Sequence, residues 1–357
     1  MPDSPLSVLH ASAGATLLDI NGWMIPDHYG TLIEEHQSVR QSAGIADQSH
    51  RGKLRVTGKD SQAFLHRMVT NDIRSLVPGL GVYACLLTPQ GKILTDMVVY
   101  LREQELLIDV EPGMACVLKT ALDRYALMDD VTVEDVTQEY GLLGVYGPRS
   151  TELLRKVIGP FPDLSDCHHH GTVYEGVSVL VTRVQRTGET DYDVYCPSDQ
   201  APELWKAFLE QGAAWGVQPV GRQALERLRV EAGIPRYGAE LDERIIPNEV
   251  IKERAVSFTK GCYVGQEPVV MMEHRGRPNR LLAGLRISGG AVPEHNAVLR
   301  KDDQDAGWIT TAVSGPDGVI ALGFVRRKFL ITGEHLTVDT TEGMVEAVLT
   351  ELPFYRK

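Results

Sequence analysis

The sequence predicts an α+β protein built mostly of antiparallel sheets, with a small β-barrel at its C-terminal end. Three observations carry that reading. Helical and strand patterns interleave over residues 1–280 without regular βα alternation, which disfavours a parallel sheet. Two strand-like runs, Val82 to Thr88 and Lys92 to Leu101, are joined by Pro89-Gln90-Gly91, a hairpin signal. After Arg280 the chain turns into short strands separated by Gly, Pro and Asp, the pattern of a small barrel or sandwich. The expected division is therefore residues 1–280, as two intertwined α+β subdomains, and residues 281–357.

The elements follow in order. Thr31-Leu32-Ile33-Glu34 fits a capping box that opens a first clear helix, with Gly44 as its stop. A second helix, Asp60 to Val69, puts Phe64, Leu65, Met68 and Val69 on a core-facing stripe. In the hairpin that follows, Asp96 sits among apolar neighbours. Strands disfavour aspartate, so Asp96 lies on a solvated face or serves a site. Further strands are expected at residues 105–110, 131–136 and 142–146, then a helix near 151–158 and a loop from Pro160 to Gly171. Residues 178–184 and 192–196 form another hairpin. Pro202 and Gly212 bound an amphipathic helix, and Gly221 to Ala232 is one more, ended by Gly233-Ile234-Pro235. The barrel strands are expected near 281–287, 307–313, 319–324, 335–339 and 344–349.

Composition narrows the function classes. With 43% hydrophobic and 24% charged residues the chain is ordinary for a globular protein. Its 36 basic and 48 acidic side chains give −12, which argues against nucleic-acid binding. Within that acidic chain, residues 252–280 hold Lys252, Arg254, Lys260, Arg275, Arg277 and Arg280 against Glu253, Glu267 and Glu273: a local positive patch for a small anionic ligand, or a solvated run of scattered pairs. The five scattered cysteines include no CxxC, so neither a disulfide framework nor a zinc ribbon is indicated. Cys167-His168-His169-His170 is metal-like only in composition, because adjacent residues do not all reach one ion, and no metal is expected. With no Lys or Arg before Arg40 and no apolar run near the roughly 18 residues that span a bilayer, a cytoplasmic, membrane-free protein is expected. No Walker A loop, GxGxxG after a strand, GxSxG or HExxH occurs.

The stretch Lys260-Gly261-Cys262-Tyr263-Val264-Gly265-Gln266-Glu267 sets one thiol between glycines just before a helix start marked by Pro268 and the apolar run Val269 to Met272. Orphan N–H groups there favour a thiolate, with Lys260 assisting. The other reading is a tight turn around an ordinary buried cysteine.

Several stretches together resemble one superfamily, the folate-dependent aminomethyltransferases (the T-protein of glycine cleavage) and their YgfZ-type folate-binding relatives. Gly44-Ile45-Ala46-Asp47-Gln48-Ser49 is similar to the opening strand segment. Thr70-Asn71-Asp72, Gly81, Tyr83 and Gly91-Lys92-Ile93-Leu94-Thr95-Asp96 resemble the segment from helix to catalytic hairpin. Thr182 to Val194 resembles the TRTGYTGEDGFEI run without gaps. Leu228-Arg229-Val230-Glu231-Ala232-Gly233, Tyr237-Gly238 and Pro247-Asn248-Glu249 are similar to the LRLEAG…YG…P-x-E run. The octapeptide with Cys262 is the YgfZ-type signature; the transferases share its lysine and glycine but not its cysteine. Two departures stand out. Thr95-Asp96 replaces a paired Asp-Asp, and Gln185-Arg186 replaces Gly-Tyr before Thr-Gly-Glu.

The resemblance implies helices and sheets around a central folate-binding opening, with tetrahydrofolate or a one-carbon derivative as cofactor. Glu189 is implied to accept paired hydrogen bonds from the pterin, and Asp96 to meet the folate amine. Tyr83 and Tyr237 pack on the ring system or in the core, and Val98 borders the same pocket. Arg229 pairs with a folate carboxylate or with Glu226 or Glu231 on its own helix. Cys262, Asp96 and Lys260 are the implied acting residues. The expected function is a YgfZ-type protein supporting iron–sulfur cluster assembly or repair, with iron–sulfur client proteins as partners. The alternative is a one-carbon transferase, an aminomethyltransferase served by an aminomethyl carrier protein or a related demethylase. A third reading is a scaffold that kept the fold and lost folate.

Overall fold

Alternation of side chains along paired strands organises the first 280 residues. In the computed structural model, which describes residues 4–341 and 343–356, Gly81–Leu87 and Ile93–Leu101 form the predicted hairpin. They belong to a five-stranded antiparallel sheet in the order Gly81–Leu87, Ile93–Leu101, Leu106–Val110, Gly52–Thr57, Thr132–Asp135. Met97 and Val99 pack with Phe64 and Leu65 of the helix Ser61–Met68 on one face. Val98 and Tyr100, one residue out of phase, pack on the other face against Leu142, Leu180 and Tyr195 of a second sheet. Both faces are therefore covered, and a strand that reads as a continuous apolar run is buried throughout.

The second sheet has six strands: His169–Tyr174, Val177–Val184, Asp191–Pro197, Tyr140–Tyr146, Gly44–Asp47 and the short Gln218–Pro219. Only the last pair is parallel. The chain crosses between the sheets at Gln48–Arg51 and again before Tyr140, so the two are intertwined rather than consecutive. The helix Arg222–Glu231 then packs Val230 against Ile320 and Leu322 of the C-terminal barrel. That barrel is closed by six antiparallel strands, in the order Arg280–Ile287, Val319–Arg326, Gln304–Val313, Val298–Lys301, His335–Thr340, Gly343–Thr350.

Several elements depart from the sequence reading. The capping box of Thr31 and Glu34 is present, but its helix Leu32–Gln41 ends at Ser42, and Gly44 begins a strand. A helix Ser7–Ser12 and a hairpin of Thr16–Ile20 with Trp23–His28 precede it. The helix Met114–Asp123 was not expected; Gly113, at φ +84°, turns the chain into it. A strand takes over the expected loop at His169, and the barrel has one more strand, Val298–Lys301, than the pattern suggests. The helix that begins within the octapeptide, Gln266–Arg275, buries only Val269, leaving Met271 half exposed.

Candidate functional site

Period-two alternation places Tyr83 and Cys85 on the inter-sheet face of one strand, with Asp96 and Val98 on that of its partner. Tyr83 Oη donates to Asp96 Oδ2 at 2.7 Å. Burial holds the phenol protonated, and the Asp96 charge beside it acts in the same direction. The other carboxylate oxygen, Asp96 Oδ1, is buried and meets no hydrogen-bond partner among the described residues. Burial, with the nearby charge of Glu111, pushes the Asp96 carboxyl up to about 6, against the hydrogen bond from Tyr83. Asp96, Tyr83 and Val98 line a small cavity of about 40 Å³.

That recess adjoins a larger cavity of about 530 Å³, ordinary for a small-molecule site; Arg51, Glu111, Gln185, Arg186, Ile234 and Pro235 line both. Arg51, in the crossover between the sheets, donates to Asp109 through Nε at 2.8 Å and also bonds Glu111. Arg186 reaches Asp193 at 2.8 Å and Asp109 at 3.4 Å, and its buried Nε has no partner among the described residues. The wall is a lattice of opposite charges, each holding the next. Arg51, in the crossover, and Glu111, just past the strand Leu106–Val110, carry no sequence signal of their own, whereas Arg186 is the departure already visible in the Thr-Gly-Glu run.

Two more of the predicted residues line the larger cavity. Tyr237 is half buried there. Arg229 is buried and fully engaged: it donates to Glu226 at 3.0 and 2.6 Å, to Glu240 at 2.8 Å and to Thr311 of the barrel at 3.2 Å. Of Glu226 and Glu231 on its own helix, it meets Glu226.

Glu189 is buried but lines neither cavity. Its Oε1 accepts from Arg40 at 2.8 Å, in a network that continues to Glu231 and His36. Cys262 also stands apart. It is exposed, three residues before Gly265, which caps the helix Gln266–Arg275. The loop carrying it is stapled at both ends. Lys260 Nζ donates to the carbonyls of His66, Val69 (2.6 Å) and Asn71 (3.1 Å) at the C-terminal end of the helix Ser61–Met68, and burial lowers its pKa to about 8. At the other end Gly265, at φ +76°, lies so close to the hairpin turn that a Cβ there would sit 2.3 Å from Thr88 O. Tyr263 points inward from the same loop into the core with Cys85.

The basic run around the octapeptide is largely paired: Lys252 with Glu273, Arg254 with Asp166, Arg280 with Glu249. Among the described residues no group of His, Cys, Asp or Glu is placed to hold a metal ion, and no helix is long and apolar enough to cross a membrane.

A buried acceptor without a partner, set in a recess that opens on a cavity of this size, fits a ligand bearing an N–H donor. Comparison with known proteins gives that site a context. The GCVT N-terminal domain family matches residues 6–260, and the glycine cleavage T-protein C-terminal barrel domain matches residues 280–356. The chain is 32% identical to an aminomethyltransferase of Desulforamulus reducens, over 99% of this chain and 98% of that protein. It is 31% identical to one of Caldanaerobacter subterraneus subsp. tengcongensis, over 99% and 96%. Among solved structures, the glycine cleavage system aminomethyltransferase T from Bartonella henselae superposes with a TM-score of 0.90 at 25% identity, covering 99% of this chain and 98% of that one.

Proposed function

We propose that this chain, which belongs to the glycine cleavage T-protein family, is a tetrahydrofolate-dependent one-carbon transferase of the aminomethyltransferase kind, with Asp96 as its acting carboxylate. The single observation that carries the reading is Asp96 itself, with one oxygen fixed by Tyr83 and the other buried, unpartnered and set in the recess. The comparisons favour this transferase reading over the iron–sulfur one, because the relatives that match nearly end to end bear the name aminomethyltransferase.

Bound tetrahydrofolate supplies nitrogens that accept a one-carbon unit. The chain's own residues do the rest. Tyr83 leaves Asp96 only one oxygen for the ligand, which sets the direction of the hydrogen bond Oδ1 accepts from a folate N–H. A carboxyl titrating near 6 takes a proton at Oδ1 and gives it up again close to neutrality, as a general base must. Val98 and Tyr237 close the apolar sides of the site. Thr95, whose hydroxyl donates to the Asp96 carbonyl oxygen at 3.1 Å, stands where the transferases carry a second aspartate, so Asp96 works without an acidic neighbour on its strand. The motif resemblance gives Glu189 the pterin edge and Arg229 a folate carboxylate; in this chain both are engaged with protein partners, and of the two only Arg229 lines the larger cavity. An aminomethyl carrier protein is the partner this reading requires, and a cytoplasmic location agrees with it.

Titration calorimetry with tetrahydrofolate tests the reading. Micromolar binding that weakens at least tenfold in Asp96→Asn supports it, as does transfer of a one-carbon unit from an aminomethyl-loaded carrier or an N-methyl donor. A protein that binds no folate and transfers nothing refutes it.

One observation favours a second reading. Cys262 is exposed on a loop that the rest of the fold holds rigidly, and the transferases lack that thiol. On this reading the protein supports iron–sulfur enzymes, with Cys262 meeting a client protein and Lys260 holding its loop. One thiol does not hold a cluster alone, so the client shares the ligation. Full rescue of iron–sulfur enzyme activity by Cys262→Ala, in a strain lacking a YgfZ-type protein, refutes it.

A further inference from the structure

Arg254 belongs to the four-residue helix Lys252–Ala255, just ahead of the octapeptide, yet its side chain lines the Asp96 recess. Its guanidinium carbon lies 4.4 Å from the centroid of the Tyr83 ring. The same group donates to both oxygens of Asp166, at 3.0 and 3.2 Å. The two backbones are tied as well: Asn71 Nδ2 donates to Tyr83 O at 2.9 Å and to Arg254 O at 3.1 Å. Arg254 is thus clamped by Asp166 on one side and set over the phenol ring on the other.

We propose that Arg254 is a positioning residue that acts through Tyr83: it pins the ring, polarises its hydroxyl and so keeps the Asp96 carboxylate aimed into the recess. A cation over the ring face draws electron density from the phenol, which makes its O–H a stronger donor to Asp96. The hydrogen bond from Tyr83 favours the ionised carboxylate, so whatever strengthens that bond favours ionisation. Other charged groups also bear on Asp96. Glu111 opposes its ionisation and Arg51 favours it. Cys85, on the neighbouring strand, and Tyr237, from the larger cavity, both feel its charge. Asp109 and Arg186 line the same recess as a mutually paired set.

The inference rests on the role given to Asp96, so its test reads Asp96 without folate. Protein carrying 13C-labelled aspartate carboxyls is titrated by NMR, with the Asp96 signal identified by its loss in Asp96→Asn. Arg254→Met is expected to raise the Asp96 midpoint by about half a pH unit, and Arg254→Lys to restore most of it. In a Tyr83→Phe background Arg254→Met is expected to add no further shift. An unmoved midpoint in Arg254→Met, or an equal shift with and without the Tyr83 hydroxyl, overturns the inference. Should Arg254→Met fail to fold, Asp166→Asn carries the test, since untying the guanidinium from its clamp leaves more of its charge for Tyr83. An Asp96 midpoint that falls in Asp166→Asn, and falls less in the Tyr83→Phe background, supports the inference; no fall, or an equal fall with and without the Tyr83 hydroxyl, overturns it.

Discussion

Arg229 Nη1 donates to Glu240 Oε2 at 2.8 Å, inside the seam between the helix Arg222–Glu231 and the C-terminal barrel. Glu240 is fully buried, and its other oxygen accepts from Thr310 at 2.8 Å and Thr311 at 2.6 Å, both on a barrel strand. One carboxylate therefore joins the wall of the larger cavity to the barrel.

Breaking that joint leaves buried partners unsatisfied on both sides. Glu240→Ala is expected to cost about 3–5 kcal/mol in urea denaturation, and Glu240→Gln clearly less, because the amide oxygen still accepts. A loss below about 1 kcal/mol for Glu240→Ala contradicts the joint.

Asp96 should be a residue the protein keeps at the expense of stability. Its carboxyl titrates near 6 in the fold against 3.8 unfolded, so ionising it destabilises the native state as pH rises through 6, and the penalty is absent below about 4. Asp96→Asn is expected to stabilise the protein by up to about 3 kcal/mol at pH 8 and not at all at pH 3.5. Folate affinity should fall in the same variant. Thermal melts across that pH range decide it.

Lys260 and Cys262 are neighbours in sequence with separable effects. Lys260→Met removes the ammonium from the carbonyls of Val69 and Asn71 and is expected to cost about 1–2 kcal/mol. Hydrogen exchange should rise at the end of the helix Ser61–Met68 in that variant. If Lys260 instead acts on the thiol, Lys260→Met slows alkylation of Cys262 without loosening the helix.

Thiol reactivity separates Cys262 from three other cysteines. Cys85, Cys167 and Cys196 are buried, whereas Cys116 and Cys262 are exposed. Burial pushes the Cys167 and Cys196 thiols up to about 12. Native protein is expected to release two equivalents in a colorimetric thiol assay, falling to one in Cys262→Ala. Three or more fast thiols in the native state contradict the buried placement.

Much of the fold was legible because local rules were strong. The Thr31–Glu34 capping box, the Pro89-Gln90-Gly91 turn and the apolar stripe of Phe64, Leu65 and Met68 each specify an element from its own residues. The helix Met114–Asp123 escaped because its start relies on Gly113 rather than on a capping side chain. The strand at His169 escaped because it is an edge strand whose exposed positions carry little pattern.

The site divides in the same way. The sequence by itself determined that Asp96 sits in a strand among apolar residues, that Thr182 to Val194 carries a carboxylate at Glu189, and that Cys262 lies on a glycine-flanked turn. It also showed the superfamily, since motif order survives in one dimension. Only the tertiary structure decided which charge meets which. Arg40 against Glu189, Arg229 against Glu240 and Arg254 over Tyr83 are separated by 149, 11 and 171 residues, respectively, and only the last lies against the tyrosine that holds Asp96. Such pairings depend on how two intertwined sheets and a barrel close on one another, and no local pattern encodes that. Burial then did the rest: it turned an ordinary aspartate into one that titrates near 6, and it left Cys262 outside.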